Sequence, residues 1–261
     1  MESHLDYHAH NNGFREVNTT FKVLFAVSTL IICVASPSPI IPLFVFILIP
    51  TLLIFKAKIP YKFYFKFISI PLLFALITFL YMGLFFGSTD IMVQLGSLGP
   101  LDLVIYRDGV QIGFLVFSRM LGAFSCLVFL AFTTPMTELF SIFHRVHIPP
   151  IIVELSMLMY RFIFLFLDEA EKMHQSQKTR LGYSDWKNSL RCLGMLGGNL
   201  FIRTWFQGEK LHMAMESRGY NGTLKAMNEI EFPGSKNIIL LVSFELLLLA
   251  GIYLSLNFPV I

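Results

Sequence analysis

The sequence predicts an all-α integral membrane protein of about five transmembrane helices, with long amphipathic helices on the cytoplasmic side. Three observations lead there. Of 261 residues, 55% are hydrophobic and only 14% charged, with 28 phenylalanines, too apolar for an ordinary soluble domain. The apolar residues gather in runs approaching the roughly 20 residues that cross about 30 Å of hydrocarbon. The cations gather elsewhere: the stretch from Thr133 to Asn237 holds 12 of the 20 lysines and arginines.

Residues 1–20 are polar and lack the apolar core of a secretory signal, so the first apolar run is expected to be a retained span. Phe21–Ala35 and Ile40–Phe55 are short for spans. Pro37, Pro39 and Pro42 lie at their junction and favour a tight, non-helical connection between them. Phe67–Phe86 and Ile112–Phe132 complete four spans, and Ile238–Leu256 forms the fifth.

Charge placement orients the spans. The connection "KAKIPYKFYFK" carries Lys56, Lys58, Lys62 and Lys66, whereas Gly87 to Gln111 carries Arg107 against Asp90, Asp102 and Asp108. By the positive-inside rule the first is cytoplasmic and the second external. The expected order is one domain over 1–261: a cytoplasmic N-terminus at 1–20, four spans over 21–132, a cytoplasmic helical region at 133–236 and a last span at 237–257.

The internal region divides into three helices. In "TTPMTELFSIFHRVHIPP", Thr134 is expected as N-cap and Pro135 at the first helical position, with Pro149 and Pro150 as the stop. A second helix runs from about Pro150 to Leu181, apolar in its first half and charged in its second. Gly182 is expected to supply the left-handed cap, Ser184 the next N-cap, and a third helix extends from about Asp185 to Arg218, ended by Gly219.

Both long helices therefore end in an arginine followed within two residues by glycine, in "KTRLGYS" and "AMESRGYNG". A cation at a helix C-terminus is favoured by the macrodipole, and glycine is the usual residue beyond the cap. Local chemistry explains either arginine singly. Two equivalent guanidinium forks on one face suit a partner with two equivalent pockets, such as a two-fold ATPase, because arginine pairs with carboxylates in a bidentate geometry that lysine lacks.

The stretches "FLDEAEKMHQSQKTRLGYSDW" and "LGGNLFIRTWFQGEKLHMAMESRGYNG" resemble the coupling region of the transmembrane T component of energy-coupling-factor (ECF-type) ABC transporters, in particular the cobalt-type CbiQ subunit. The resemblance covers the whole order of spans and internal helices. It implies a non-catalytic subunit whose two Ala-Arg-Gly motifs dock into a pair of ATP-binding cassette subunits and pass their motion to a separate membrane subunit that captures the substrate, cobalt or nickel. ATP and Mg²⁺ would then belong to the partners and no cofactor to this chain. Carried over, Ser217, Arg218 and Gly219 match the second motif, with serine for alanine. Thr179 and Arg180 match the first at the arginine, and its glycine is displaced to Gly182.

The residues support this role independently on one point. No GxxxxGK[ST] occurs, so the chain has no P-loop with which to hydrolyse ATP. A secondary ion transporter working without an ATPase is the alternative; inverted repeats and mid-membrane carboxylate groups, which would favour it, are not apparent. An intramembrane enzyme has no GxSxG, HExxH or paired-carboxylate signature. A net charge of +3 builds no basic field for nucleic acid.

Other residues carry weaker expectations. Arg119 and Glu245 fall inside spans at comparable depth and are expected to form an intramembrane ion pair. Gly194 and Gly198 have GxxxG spacing, which permits close crossing of the second and third internal helices. His4, His8 and His10 form a loose metal-binding pattern, and a solvated tail is the favoured reading. Cys33, Cys126 and Cys192 read as packed thiols; Met157, Met159, Met213 and Met215 read as adaptable packing surface.

Overall fold

A computed structural model describes residues 12–15, 17–86, 91–98, 101–145, 148–220 and 235–257. In chain order the elements are α1 (Thr19–Ala35), α2 (Ile40–Phe55), α3 (Tyr61–Phe85), β1 (Ile91–Leu98), β2 (Leu101–Tyr106), α4 (Arg107–Thr133), α5 (Met136–Arg145), α6 (Pro150–Thr179), α7 (Trp186–Ser217) and α8 (Ser235–Asn257). The chain is an all-α membrane protein, to which the connection between α3 and α4 adds one antiparallel hairpin, pairing Ile91 with Tyr106 and Leu98 with Leu101. It divides into two compact units, one of residues 12–135 with 235–257 and the other of residues 136–220.

The first unit is the membrane body. α3, α4 and the Ile238–Ser255 part of α8 are long and apolar enough to cross a bilayer, while α1 and α2 are shorter apolar helices. α4 is the central element, packed by α1, α2 and α3, and α8 lies against α1 and α2. Phe25, Val45, Ile49, Leu53, Phe129 and Phe132 build the core. α3 begins at Tyr61, earlier than hydropathy indicates, because the lysines of its first turns are helical although they are not apolar.

Buried polar groups fasten the C-terminal end of α4. Lys22, 1% exposed, donates from Nζ to the Thr133 carbonyl at 3.1 Å, and Asn12 donates from Nδ2 to the Phe132 carbonyl at 3.1 Å. The last carbonyls of a helix have no partner within it, and a cation there also meets the negative end of the dipole. Thr134 is the C-cap of α4, and its hydroxyl is buried without a hydrogen-bond partner among the described residues. The expected N-cap of the next helix is thus used to close the one before it.

The expected Arg119–Glu245 pair does not form. Arg119 donates from Nε and Nη2 to the Ser36 carbonyl, at 2.9 and 2.6 Å, so the short α1–α2 turn receives the guanidinium. Glu245 lies on α8, beside Phe244, which packs on Phe25, and its Oε1 is buried with no hydrogen-bond partner among the described residues. The α1–α2 turn presents a free carbonyl where the comparison of depths alone saw only a carboxylate. Cys33, Cys126 and Cys192 are buried free thiols.

The second unit is a helical hairpin preceded by α5. Pro150 opens α6 at its first position, as prolines do where no backbone donor is needed. α6 also meets the length and hydropathy of a membrane span, because its first half is nearly all apolar; its second half carries Asp168, Glu169, Glu171 and Lys172. α7 runs antiparallel to α6, tied by Gln177 Nε2 donating to the Cys192 carbonyl at 3.1 Å, by an Arg203–Glu169 ion pair, and by Tyr220 donating to Glu154 at 3.3 Å.

Candidate docking site at two helix ends

The end of α6 is built from backbone hydrogen bonds that fix its geometry. The Leu181 amide donates to the Lys178 carbonyl at 3.1 Å, and the Gly182 amide reaches back to Gln177 at 2.9 Å. Arg180 is the C-cap, and Leu181 takes the left-handed conformation, φ 59°. This is a Schellman turn. The end of α7 repeats it: the Gly219 amide donates to Glu216 at 3.0 Å and the Tyr220 amide to Met215 at 3.0 Å, with Arg218 as the C-cap and Gly219 at φ 79°.

The likeness extends to the preceding hydroxyl. Thr179 Oγ1 donates to the Ser176 carbonyl and Ser217 Oγ to the Ala214 carbonyl, both at 2.9 Å. Each hydroxyl is turned onto its own helix, which leaves the arginine as the outward polar group. Arg180 and Arg218 are both exposed, and no hydrogen bond or ion pair holds either guanidinium among the described residues.

The left-handed residue of the first turn is Leu181, so the expectation that Gly182 fills it is corrected. Left-handed backbone costs a non-glycine residue about 1–2 kcal/mol. Gly182 is needed for another reason: a Cβ there would lie 2.7 Å from Cys192 Sγ and 3.0 Å from the Gln177 carbonyl. The start of α7 packs onto the turn at that point. Similarly, Asp185 rather than Ser184 is the N-cap of α7, while the Ser184 amide is taken by the Leu181 carbonyl at 3.2 Å.

Side chains that sequence reasoning passed over brace each turn. Tyr183 donates to Gln177 Oε1 at 2.7 Å and packs its ring 4.5 Å from His174. At the other end Tyr220 bonds Glu154, a residue 8% exposed, and burial together with the Glu154 carboxylate raises the Tyr220 phenol above its ordinary value. A tyrosine following each arginine was the available signal; Tyr183 finds its partner six residues back, whereas that of Tyr220 lies far along the chain at Glu154.

Gly194 and Gly198 do not form a crossing. A Cβ at either would meet nothing within 4 Å, because polar links away from that stretch join α6 and α7. Between the helices lies instead an apolar groove of about 490 Å³, with Leu155, Met159 and Phe162 on one wall and Gly208, Leu211 and Met215 on the other. His4, His8 and His10 lie outside the described residues, as do Asn221 and Gly222. No cluster of three or more metal-ligating side chains occurs among the described residues.

Residues 10–229 match the CbiQ family, described as cobalt transport protein. The chain is 42% identical to an uncharacterized protein, MJ1089, of Methanocaldococcus jannaschii, over 97% of this chain and 94% of that one. It is 36% identical to a putative fused cobalt transport protein CbiMQ of Methanocorpusculum labreanum, over 86% of this chain and 38% of that larger protein. With an energy-coupling factor transporter transmembrane protein EcfT of Listeria innocua it shares 30% identity, over 65% of this chain and 66% of that one. The chain, a multi-pass membrane protein whose two long helices end in matching arginine caps, belongs to the CbiQ family.

Proposed function

We propose that this chain is the energy-coupling transmembrane subunit of an ECF-type importer for cobalt or nickel ions. Two ATP-binding subunits drive it from the cytoplasm, and it passes their motion to a separate integral membrane subunit that captures the metal. The observation that carries this reading is the pair of matching caps, each presenting an exposed arginine without a partner among the described residues. Two identical presentations fit two related pockets, and a buried carboxylate in each would receive the guanidinium fork.

The dimensions support the same reading. α7 has 32 residues, so at 1.5 Å per residue its two ends stand about 48 Å apart. That separation suits two subunits side by side better than one pocket. Both arginines lie on the cytoplasmic side in this scheme. The apolar first half of α6 and the groove offer a contact for the substrate-capturing subunit. ATP and Mg²⁺ are held by the ATP-binding subunits in this scheme, and the chain itself performs no catalysis.

Co-purification with the ATP-binding subunit tests it, comparing wild type with Arg180→Glu, Arg218→Glu and the double change, each checked for folding in detergent. Weakened binding in the singles and none in the folded double variant is the expected result. Equal binding by all four would reduce the arginines to helix caps and remove the basis of the reading.

A further inference from the structure

Leu181 is the residue of the tips that the shared cap does not explain. The position after the arginine is left-handed, which glycine adopts without steric cost and leucine does not. Among the described residues the two non-glycine residues at positive φ are Lys58 and Leu181. At Lys58 the flanking Ala57 and Ile59 are 2% and 3% exposed, so burial on both sides holds the conformation. Leu181 is itself 75% exposed, and Trp186, which opens α7 just beyond the turn, is 76% exposed.

The leucine side chain thus gains little inside the chain from a position that disfavours it. Outliers of this kind are kept where another contact uses them. Resting on the coupling reading above, we infer that Leu181 enters an apolar subsite of the ATP-binding subunit, adjacent to the group that receives Arg180, with the exposed Trp186 at the start of α7 available to the same surface. The second tip offers Gly219 at the same place and has no side chain to fill such a subsite. The two docking contacts therefore differ: the first is charged and apolar, the second is charged with bare backbone. Burying a leucine strengthens the first contact by about ten- to hundredfold. Salt, which screens charge and not apolar burial, weakens the second contact more.

The test uses the full chain co-expressed with its ATP-binding subunit, solubilised in mild detergent, with affinity measured for Leu181→Gly, Leu181→Asn and Leu181→Met. Glycine and asparagine both accept the left-handed turn, so these variants keep the fold, which thermal unfolding checks. The expected result is at least a tenfold loss for glycine and asparagine, and near wild-type binding for methionine. Wild-type affinity in Leu181→Gly while Arg180→Glu binds more weakly than wild type would overturn the subsite and leave the coupling reading intact. Loss in Leu181→Gly with normal binding by Arg180→Glu would keep the apolar contact and sink the role given to the arginine.

Discussion

Arg180 and Arg218 occupy the same position of the same turn, at opposite ends of α7, although their sequences differ in where the glycine falls. In both turns the amide two residues beyond the arginine reaches back to the carbonyl three residues before it, Gly182 to Gln177 and Tyr220 to Met215. Equal backbone follows from these hydrogen bonds, counted from the end of the helix. The glycines, by contrast, serve different ends.

Gly219 is required by backbone conformation and Gly182 by packing, and substitution separates the two. Gly219→Ala meets no neighbour within 4 Å but forces alanine to positive φ, costing about 1–2 kcal/mol; Gly219→Asn recovers part of that. Gly182→Ala drives a methyl group against Cys192 Sγ, costing about 1–3 kcal/mol, and Cys192→Ala in the same chain relieves it. Thermal unfolding of these four variants, and of Gly219→Ala combined with Cys192→Ala, checks this. Relief of Gly219→Ala by Cys192→Ala would contradict it.

Much of the membrane body is legible in the sequence because a bilayer demands continuous apolar length: the bounds of α2 coincide with the run Ile40–Phe55. Position along the chain says less about lateral neighbours. Arg119 and Glu245 are comparable in depth, yet which helix faces which is decided by packing of α8 on α1 and α2. Leu181 is hidden for a related reason. Glycine's strong preference for left-handed backbone points to Gly182, and only the contact with Cys192, distant in sequence, shows why that glycine is there. The hairpin at Ile91–Tyr106 is not legible from the charges of that connection, which bear on its side of the membrane and not on its backbone pairing.

Arg119 and Glu245 behave independently in a structure where they do not meet. Arg119→Gln removes a charged hydrogen bond to the Ser36 carbonyl and is expected to lower stability by about 2 kcal/mol. Glu245→Gln changes a side chain whose Oε1 is buried without a hydrogen-bond partner among the described residues, and is expected to be neutral or stabilising. The double variant should show the sum of the two effects, since sites without shared partners add. A strong departure from additivity in unfolding midpoints would restore the ion pair.

Gly194 and Gly198 stand in open space on a helix, where glycine has only its entropic cost. Alanine at each position is expected to raise the stability of the isolated chain by about 0.5–1 kcal/mol. A close crossing would give the opposite sign, because two methyl groups would push the helices apart. Melting curves of the double alanine variant in detergent distinguish these outcomes.

Tyr220 ties the second tip to the base of α6, and its pH behaviour follows from the direction of its shift. Burial and the Glu154 carboxylate raise the phenol's pKa, so the folded state favours the protonated, donating form. The link is fully present below the ordinary phenol value of about 10 and is lost only as pH rises through the higher value of the folded protein. Trypsin cleavage after Arg218 reports the tip. Tyr220→Phe should be cut faster than wild type, by the same factor from pH 7 to pH 9, because the hydroxyl keeps its proton throughout. A factor that shrinks toward unity across that range would show wild type losing the bond with the proton, and the phenol would then titrate lower than its surroundings require.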